Sequence, residues 1–149
     1  MPSRRAYLAG LITASTSSFV GCTALIESDP LHKVEMDNNT GEDIEAAVEV
    51  SDSENNVLFT HTFSMKAGNM DEGAEPFDGE PERISITVGE EESLTAPWPT
   101  RVTEVRVGER PEIIGEAVCT QGGQEPTGVL VRLSSPVHAV LGPTCGTFQ

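Results

Sequence analysis

The sequence predicts an all-β domain of about eight short strands, and three observations carry that expectation. Runs of alternating apolar and polar residues recur throughout residues 31–149. Clusters of Gly, Pro, Asn and Asp separate them at the spacing of turns. No stretch of that region sustains a helical period.

Leu31 to Asp37 alternates loosely and reads as the first strand. Asn38-Asn39-Thr40-Gly41 is turn chemistry. It also matches the Asn-x-Thr pattern, which makes Asn38 a candidate glycan acceptor on an exported protein. Ile44, Ala46, Val48 and Val50 alternate with Glu45, Ala47 and Glu49, a strand with one wet face. After a polar turn, Val57, Phe59, His61, Phe63 and Met65 share one face of the clearest strand, with Leu58, Thr60, Thr62 and Ser64 on the other.

Ala67 to Arg83 breaks the pattern with Gly68, Gly73, Pro76, Gly79 and Pro81 among six acidic residues from Asp71 to Glu82. A long exposed loop is expected there, anchored to the core by Phe77. The loop lacks the ligand spacing of a compact calcium loop and reads as a solvated acidic surface. Ile84, Ile86 and Val88 mark the next strand, and Leu94 with Ala96 the one after. Pro97-Trp98-Pro99 excludes a central strand, because proline has no ladder donor. The sole Trp reads as a plug at one end of the core or as an exposed contact for a partner. Val102–Val107, Ile113–Cys119, Gly128–Leu133 and Val137–Leu141 complete the set, the last ending before Gly142-Pro143.

Many short strands with turn signals between them suggest an antiparallel β-sandwich or barrel. Two stacked sheets of immunoglobulin-like type are the preferred reading. The antibody hallmark is absent, since Trp98 precedes both Cys119 and Cys145 instead of lying between them.

The segment ahead of this domain has a different character. Arg4-Arg5 precedes an uncharged run from Ala6 to Val20, and Phe19-Val20-Gly21-Cys22 closes it. A basic start, an apolar middle and a small residue before the cut are the parts of a secretory signal. The run is too short and too rich in Ser and Thr for a membrane span. The Arg4-Arg5 pair before Tyr7-Leu8 resembles the twin-arginine export motif, read by a receptor that takes folded cargo. Val20-Gly21-Cys22 resembles a lipobox, in which the Cys22 thiol takes a diacylglyceryl group and becomes the mature N-terminus. Residues 1–21 are thus expected as signal, 22–30 as lipidated cysteine and short tether, and 31–149 as one domain. Thr23 to Pro30 spans at most about 28 Å.

Loss of Arg4 and Arg5 with the signal leaves 7 of the 9 basic residues against all 24 acidic ones, a formal charge of −17. That balance excludes nucleic-acid binding, which needs a basic footprint. It also excludes electrostatic adhesion to an anionic membrane. Self-repulsion of this size strains a compact domain in dilute salt and is screened in molar salt. Together with the signal, the composition resembles small secreted lipoproteins of halophilic archaea. The resemblance is specific over Met1–Cys22 and compositional beyond. It implies a domain on the outer face of the cytoplasmic membrane, held by the lipid on Cys22.

With Cys22 assigned to lipid, Cys119 and Cys145 form an even pair in an oxidising compartment and are expected as a disulfide. The bridge would close about 25 residues, worth roughly 3–4 kcal/mol in the chain-entropy account. A metal pair or a redox dithiol is the alternative, but neither cysteine has a His or Cys at ligand spacing. His32, His61 and His138 are scattered. Ser134-Ser135 with His138 offers a nucleophile and a base, without the Gly-x-Ser-x-Gly elbow. No metal, cofactor or enzymatic activity is expected. The leading reading is a non-catalytic interaction or accessory module with a cell-surface protein partner. The alternative is a ligand- or cation-binding lipoprotein serving a transporter.

Overall fold

Among the described residues the chain forms ten strands, most of them from period-two sequence. The computed structural model describes residues 31–116 and 126–145. The strands are β1 Lys33–Asn38, β2 Ile44–Ser51, β3 Val57–Met65, β4 Met70–Asp71, β5 Arg83–Val88, β6 Leu94–Pro97, β7 Val102–Arg106, β8 Glu112–Gly115, β9 Pro126–Ser135 and β10 His138–Cys145. Among the described residues there is no helix. Six strands form one sheet in the order β4-β1-β9-β10-β7-β8, and four form the other in the order β3-β2-β5-β6.

Alternation decides which side chains are buried. In β2, Ala46, Val48 and Val50 are buried while Glu45, Ala47 and Glu49 are exposed. In β5, Ile84, Ile86 and Val88 are buried. One hydrophobic cluster joins these to Phe63 and Leu94 of the same sheet and to Val34, Met36, Val131, Leu133 and Leu141 of the other.

Four departures from the sequence reading have physical causes. Pairing is antiparallel throughout except between β1 and β9, which run parallel. About ninety residues of chain join these two strands, ample length for the crossover that parallel pairing needs. Val57, expected on the core face, is 54% exposed. The β2–β3 register slips by one residue beyond Phe59, since Val50 opposes Phe59 and Ser51 opposes Val57. Leu58 is the extra residue, and such a bulge sends the side chains beyond it to the opposite face.

The acidic connection after β3 is not wholly loop. Met70–Asp71 pairs with β1, His32 bridges to Phe77, and Ala74 and Phe77 are buried. Finally, β10 continues through Gly142-Pro143 to Cys145. β7 pairs only with His138–Leu141, so beyond Leu141 one flank of β10 needs no ladder donor from that strand, the setting that tolerates proline. Pro97 likewise ends an edge strand. Gly128 of β9 lies between Lys33 and Thr144, where a Cβ would meet Thr144 Oγ1 at 2.5 Å and Lys33 O at 2.7 Å.

Aromatic rings close one end of the core. Phe77 stacks on Phe59 at 5.0 Å and meets Trp98 edge-on at 5.9 Å. His32 lies 5.6 Å from Phe77 and 5.9 Å from Trp98. Its Nδ1 is 2.7 Å from Thr127 O and its Nε2 is 3.0 Å from Gly79 O, which ties the start of β1 to β9 and to the acidic connection.

Candidate functional site

The chemistry-bearing residues collect on the outward face of the six-stranded sheet. In the β9–β10 hairpin Ser135 opposes His138 and Leu133 opposes Ala139, so Ser134 is a bulged residue. Bulges re-aim side chains, and here Ser134 Oγ comes to 2.7 Å from His138 Nδ1. Glu104 of β7 reaches the other ring nitrogen, with Oε2 at 3.4 Å from Nε2. That second contact is an ion-pair distance without hydrogen-bond alignment, and His138 Nε2 is buried with no other partner. Arg106 Nε lies 3.3 Å from Glu104 Oε1. Contact with His138 is the largest cause holding the Glu104 carboxyl below the ordinary carboxylate range, and Arg106 adds to it.

The set is a serine, an imidazole and a carboxylate in a row across three strands. Sequence reading singled out Ser134, Ser135 and His138 and missed Glu104. Only the register Val140↔Glu104 and His138↔Arg106 brings β7 alongside, and no local pattern encodes it. A proton on Nε2 facing Glu104 leaves Nδ1 to accept from the Ser134 hydroxyl, the polarity of a base–nucleophile pair. The row lies on an open sheet face with Ser134 exposed, whereas acyl transfer needs a concave site that places substrate and oxyanion donors.

Among the described residues, depressions lie elsewhere. The outer face of the four-stranded sheet holds one of about 380 Å³, floored by Ala47 and walled by Glu49, Thr60, Thr62, Ser85, Thr87 and Ser93. Its hydroxyls are partly paired, with Thr87 Oγ1 at 2.6 Å from Ser93 Oγ. A slot of about 160 Å³ runs between Pro97, Trp98, Pro99, Arg101, Pro111 and Ile113. Trp98 packs edge-to-face with Phe77 at the end of the core and also lines the slot.

The remaining sequence candidates fall as follows. Arg4, Arg5, Cys22 and Cys119 lie outside the described residues. Cys145 ends β10 and is disulfide-bonded. Asn38 is completely buried. Its Oδ1 accepts from the N–H and hydroxyl of Thr40, and its Nδ2 donates to Glu42 O and Lys66 O. A glycan on that nitrogen would require the whole network to open. His61 meets Phe63 edge-to-face at 4.5 Å, at the rim of the core. Among the described residues no group of three or more His, Cys, Asp or Glu is placed to hold a metal ion, and no helix is long and apolar enough to cross a membrane.

No family model, curated protein or solved structure matches this chain.

Proposed function

We propose that this protein is a lipid-anchored, non-catalytic interaction module held at the outer face of the cytoplasmic membrane. The observation that carries the reading is the order Arg4-Arg5, uncharged run, Gly21-Cys22, followed within about ten residues by the first strand. The two sheets are read as stacked into a β-sandwich, supported by the single hydrophobic cluster that draws on both. The sandwich is immunoglobulin-like in layering. Its strand orders, 3-2-5-6 and 4-1-9-10-7-8, are its own and differ from the ABED and CFG sheets of immunoglobulin constant domains. Cys119 is the proposed partner of Cys145, stapling the C-terminal strand. The partner class is a protein of the cell surface, because the charge of the domain disfavours nucleic acid.

Mass spectrometry of the mature N-terminus tests the anchor. A diacylglyceryl group on Cys22 is expected, and Cys22→Ser should move the protein from the membrane to the soluble fraction. An unmodified Cys22, or an intact Met1 on the membrane-bound form, would refute the assignment. Thiol labelling of the exported protein should find Cys119 and Cys145 both blocked.

The second reading is a ligand-binding lipoprotein serving a transporter, favoured by the depression around Ala47. Glu49 is the one carboxylate among its lining residues, so a polyhydroxylated neutral ligand suits it better than a cation. A thermal-shift screen with sugars and polyols tests this, and Ala47→Leu should abolish any shift.

A further inference from the structure

β4, β8, β3 and β6 form the four edges of the two sheets. Three of these are blunted. β4 has 2 residues, β8 has 4, and β6 has 4 and ends in Pro97. β3 has 9 residues, reads Val-Leu-Phe-Thr-His-Thr-Phe-Ser-Met, and contains no charge and no proline. In a chain with 22% charged residues, the longest edge strand carries no charge. Long edges of this kind are templates for strand addition unless charge, proline or a cover blocks them.

Hydrogen bonds fix which backbone groups face outward. Gly89 N–H donates to Glu45 O and Glu82 N–H to Ser51 O, both on the β5 side of β2. Ladder bonds alternate, so Ala46, Val48 and Val50 bond the other way, to Phe63, His61 and Phe59 of β3. The N–H and C=O groups of Thr60, Thr62 and Ser64 therefore point off the free edge, and all three residues are exposed. Among the described residues no strand but β2 pairs with β3.

We propose that β3 pairs antiparallel with β3 of a second copy of this chain, about a two-fold axis through His61. Phe59-Thr60-His61-Thr62-Phe63 reads the same in both directions. Antiparallel pairing about His61 thus sets each Thr60 opposite the second copy's Thr62 and each Phe59 opposite its Phe63. Such a two-fold contact is self-complementary by construction. The two Thr60–Thr62 pairs supply about four ladder hydrogen bonds from groups already aimed outward. Leu58 is bulged and lies against Gly79, so the ladder runs over Phe59–Phe63.

Charge agrees at both ends and at the seam. Lys66 follows β3 directly and lies toward the end where the second copy's 52–56 turn carries Asp52 and Glu54. Each end then brings an ammonium toward carboxylates. On the outer face the two Glu49 side chains stand three strand spacings apart, about 14 Å. That exceeds the Debye length of about 8 Å at physiological ionic strength. The inference goes beyond the anchoring proposed above and does not depend on it.

The test uses the full chain in molar salt, with single cysteines introduced and the parent protein run alongside as background. His61→Cys should cross-link to a dimer under mild oxidation, because the two Cα atoms of a central non-hydrogen-bonded pair lie about 4.5 Å apart. Ser64→Cys should not cross-link, since its two copies would be about 20 Å apart along the strands. Thr62→Pro removes an outward N–H and leaves the bonds to β2 intact. It should weaken dimerisation at least tenfold by sedimentation while the circular dichroism spectrum stays unchanged. A wild-type chain that stays monomeric at about 100 µM would overturn the proposal. So would Ser64→Cys cross-linking as efficiently as His61→Cys, or a folded Thr62→Pro variant with wild-type self-association.

Discussion

Asn38→Ala should be among the most damaging single substitutions of a polar residue in this domain. The side chain is fully buried at the end of β1 and makes four short hydrogen bonds, to Glu42 O at 2.8 Å, Lys66 O at 3.1 Å, Thr40 N at 3.1 Å and Thr40 Oγ1 at 2.7 Å. A neutral buried hydrogen bond contributes about 1 kcal/mol net, and a partner left unsatisfied costs more. Two partners stay satisfied after truncation. Glu42 O retains the Thr40 hydroxyl at 3.1 Å, and Lys66 O retains the Asn69 N–H at 3.2 Å. The loss should therefore be about 3 kcal/mol, or a melting temperature lower by about 10 °C for a domain of this size. Urea unfolding should show a lower midpoint with an unchanged slope.

Asn38→Asp sharpens the test. A carboxylate has no donor for Glu42 O and Lys66 O, and it would place buried charge against two carbonyl oxygens. It should cost more than Ala at neutral pH and less on acidification, as the carboxyl regains a proton. A loss under about 1 kcal/mol for Ala, or an Asp variant as stable as wild type, would refute the view that this amide stitches β1 to the β3–β4 turn.

Glu35 carries a pH prediction. Burial, then the charge of Glu72, raises its carboxyl above the ordinary range, with Lys33 opposing. Its charged form therefore costs stability above the raised value, and protonation removes the cost as pH falls through it. Glu35→Gln should be more stable than wild type at pH 7 and should remove that gain on mild acidification, measured by unfolding across pH. Asp52, lowered chiefly by the Asn56 N–H, and Glu104, lowered chiefly by His138, act in the opposite sense. Their stabilisation is present above about pH 4 and is lost as pH falls through their depressed values. The melting temperature should rise from 0.1 M toward molar NaCl, because 24 acidic residues face 9 basic ones. A flat profile would remove the salt-adaptation argument. Ser134 should stay unlabelled by a fluorophosphonate probe. Stoichiometric labelling that vanishes in His138→Ala would establish an acyl-transfer site on this face.

Period two was enough to read β2, β3 and β5, since each has one wet face and one dry face. It failed where the count changed by one. The bulge at Leu58 put Val57 in solvent, and the bulge at Ser134 turned a strand residue toward His138. β4 spans 2 residues, too few to show any period, and exists because β1 offers it an edge. Lateral neighbours were unreadable in principle. The parallel β1–β9 pairing and the arrival of Glu104 at His138 follow from sheet order, and local sequence carries no record of that order. Asn38 read as a turn residue because turn chemistry and buried capping use the same side chain.

Anchoring and self-pairing constrain each other. β1 and β3 run the same way, because Phe59 stacks on Phe77 beside His32 at one end and Met65 O lies 3.4 Å from Asn38 Nδ2 at the other. The tether would enter at the His32 end. Antiparallel pairing of β3 reverses one copy, so the two tethers would leave from opposite ends of the dimer. With Cys22 in one bilayer, the strands must then lie along the membrane surface, with the two-fold axis on the membrane normal. Thr23 to His32 spans at most about 35 Å when extended, which reaches the surface from either end of such a flat dimer. The posture brings the acidic domains close to anionic headgroups, a repulsion that molar salt screens and dilute salt does not. Cross-linking through His61→Cys in native membranes should therefore fall as salt is lowered, and the Cys22→Ser variant in solution should lose less over the same range. Equal salt dependence of the two would break the link between anchor and pairing and leave each to stand alone.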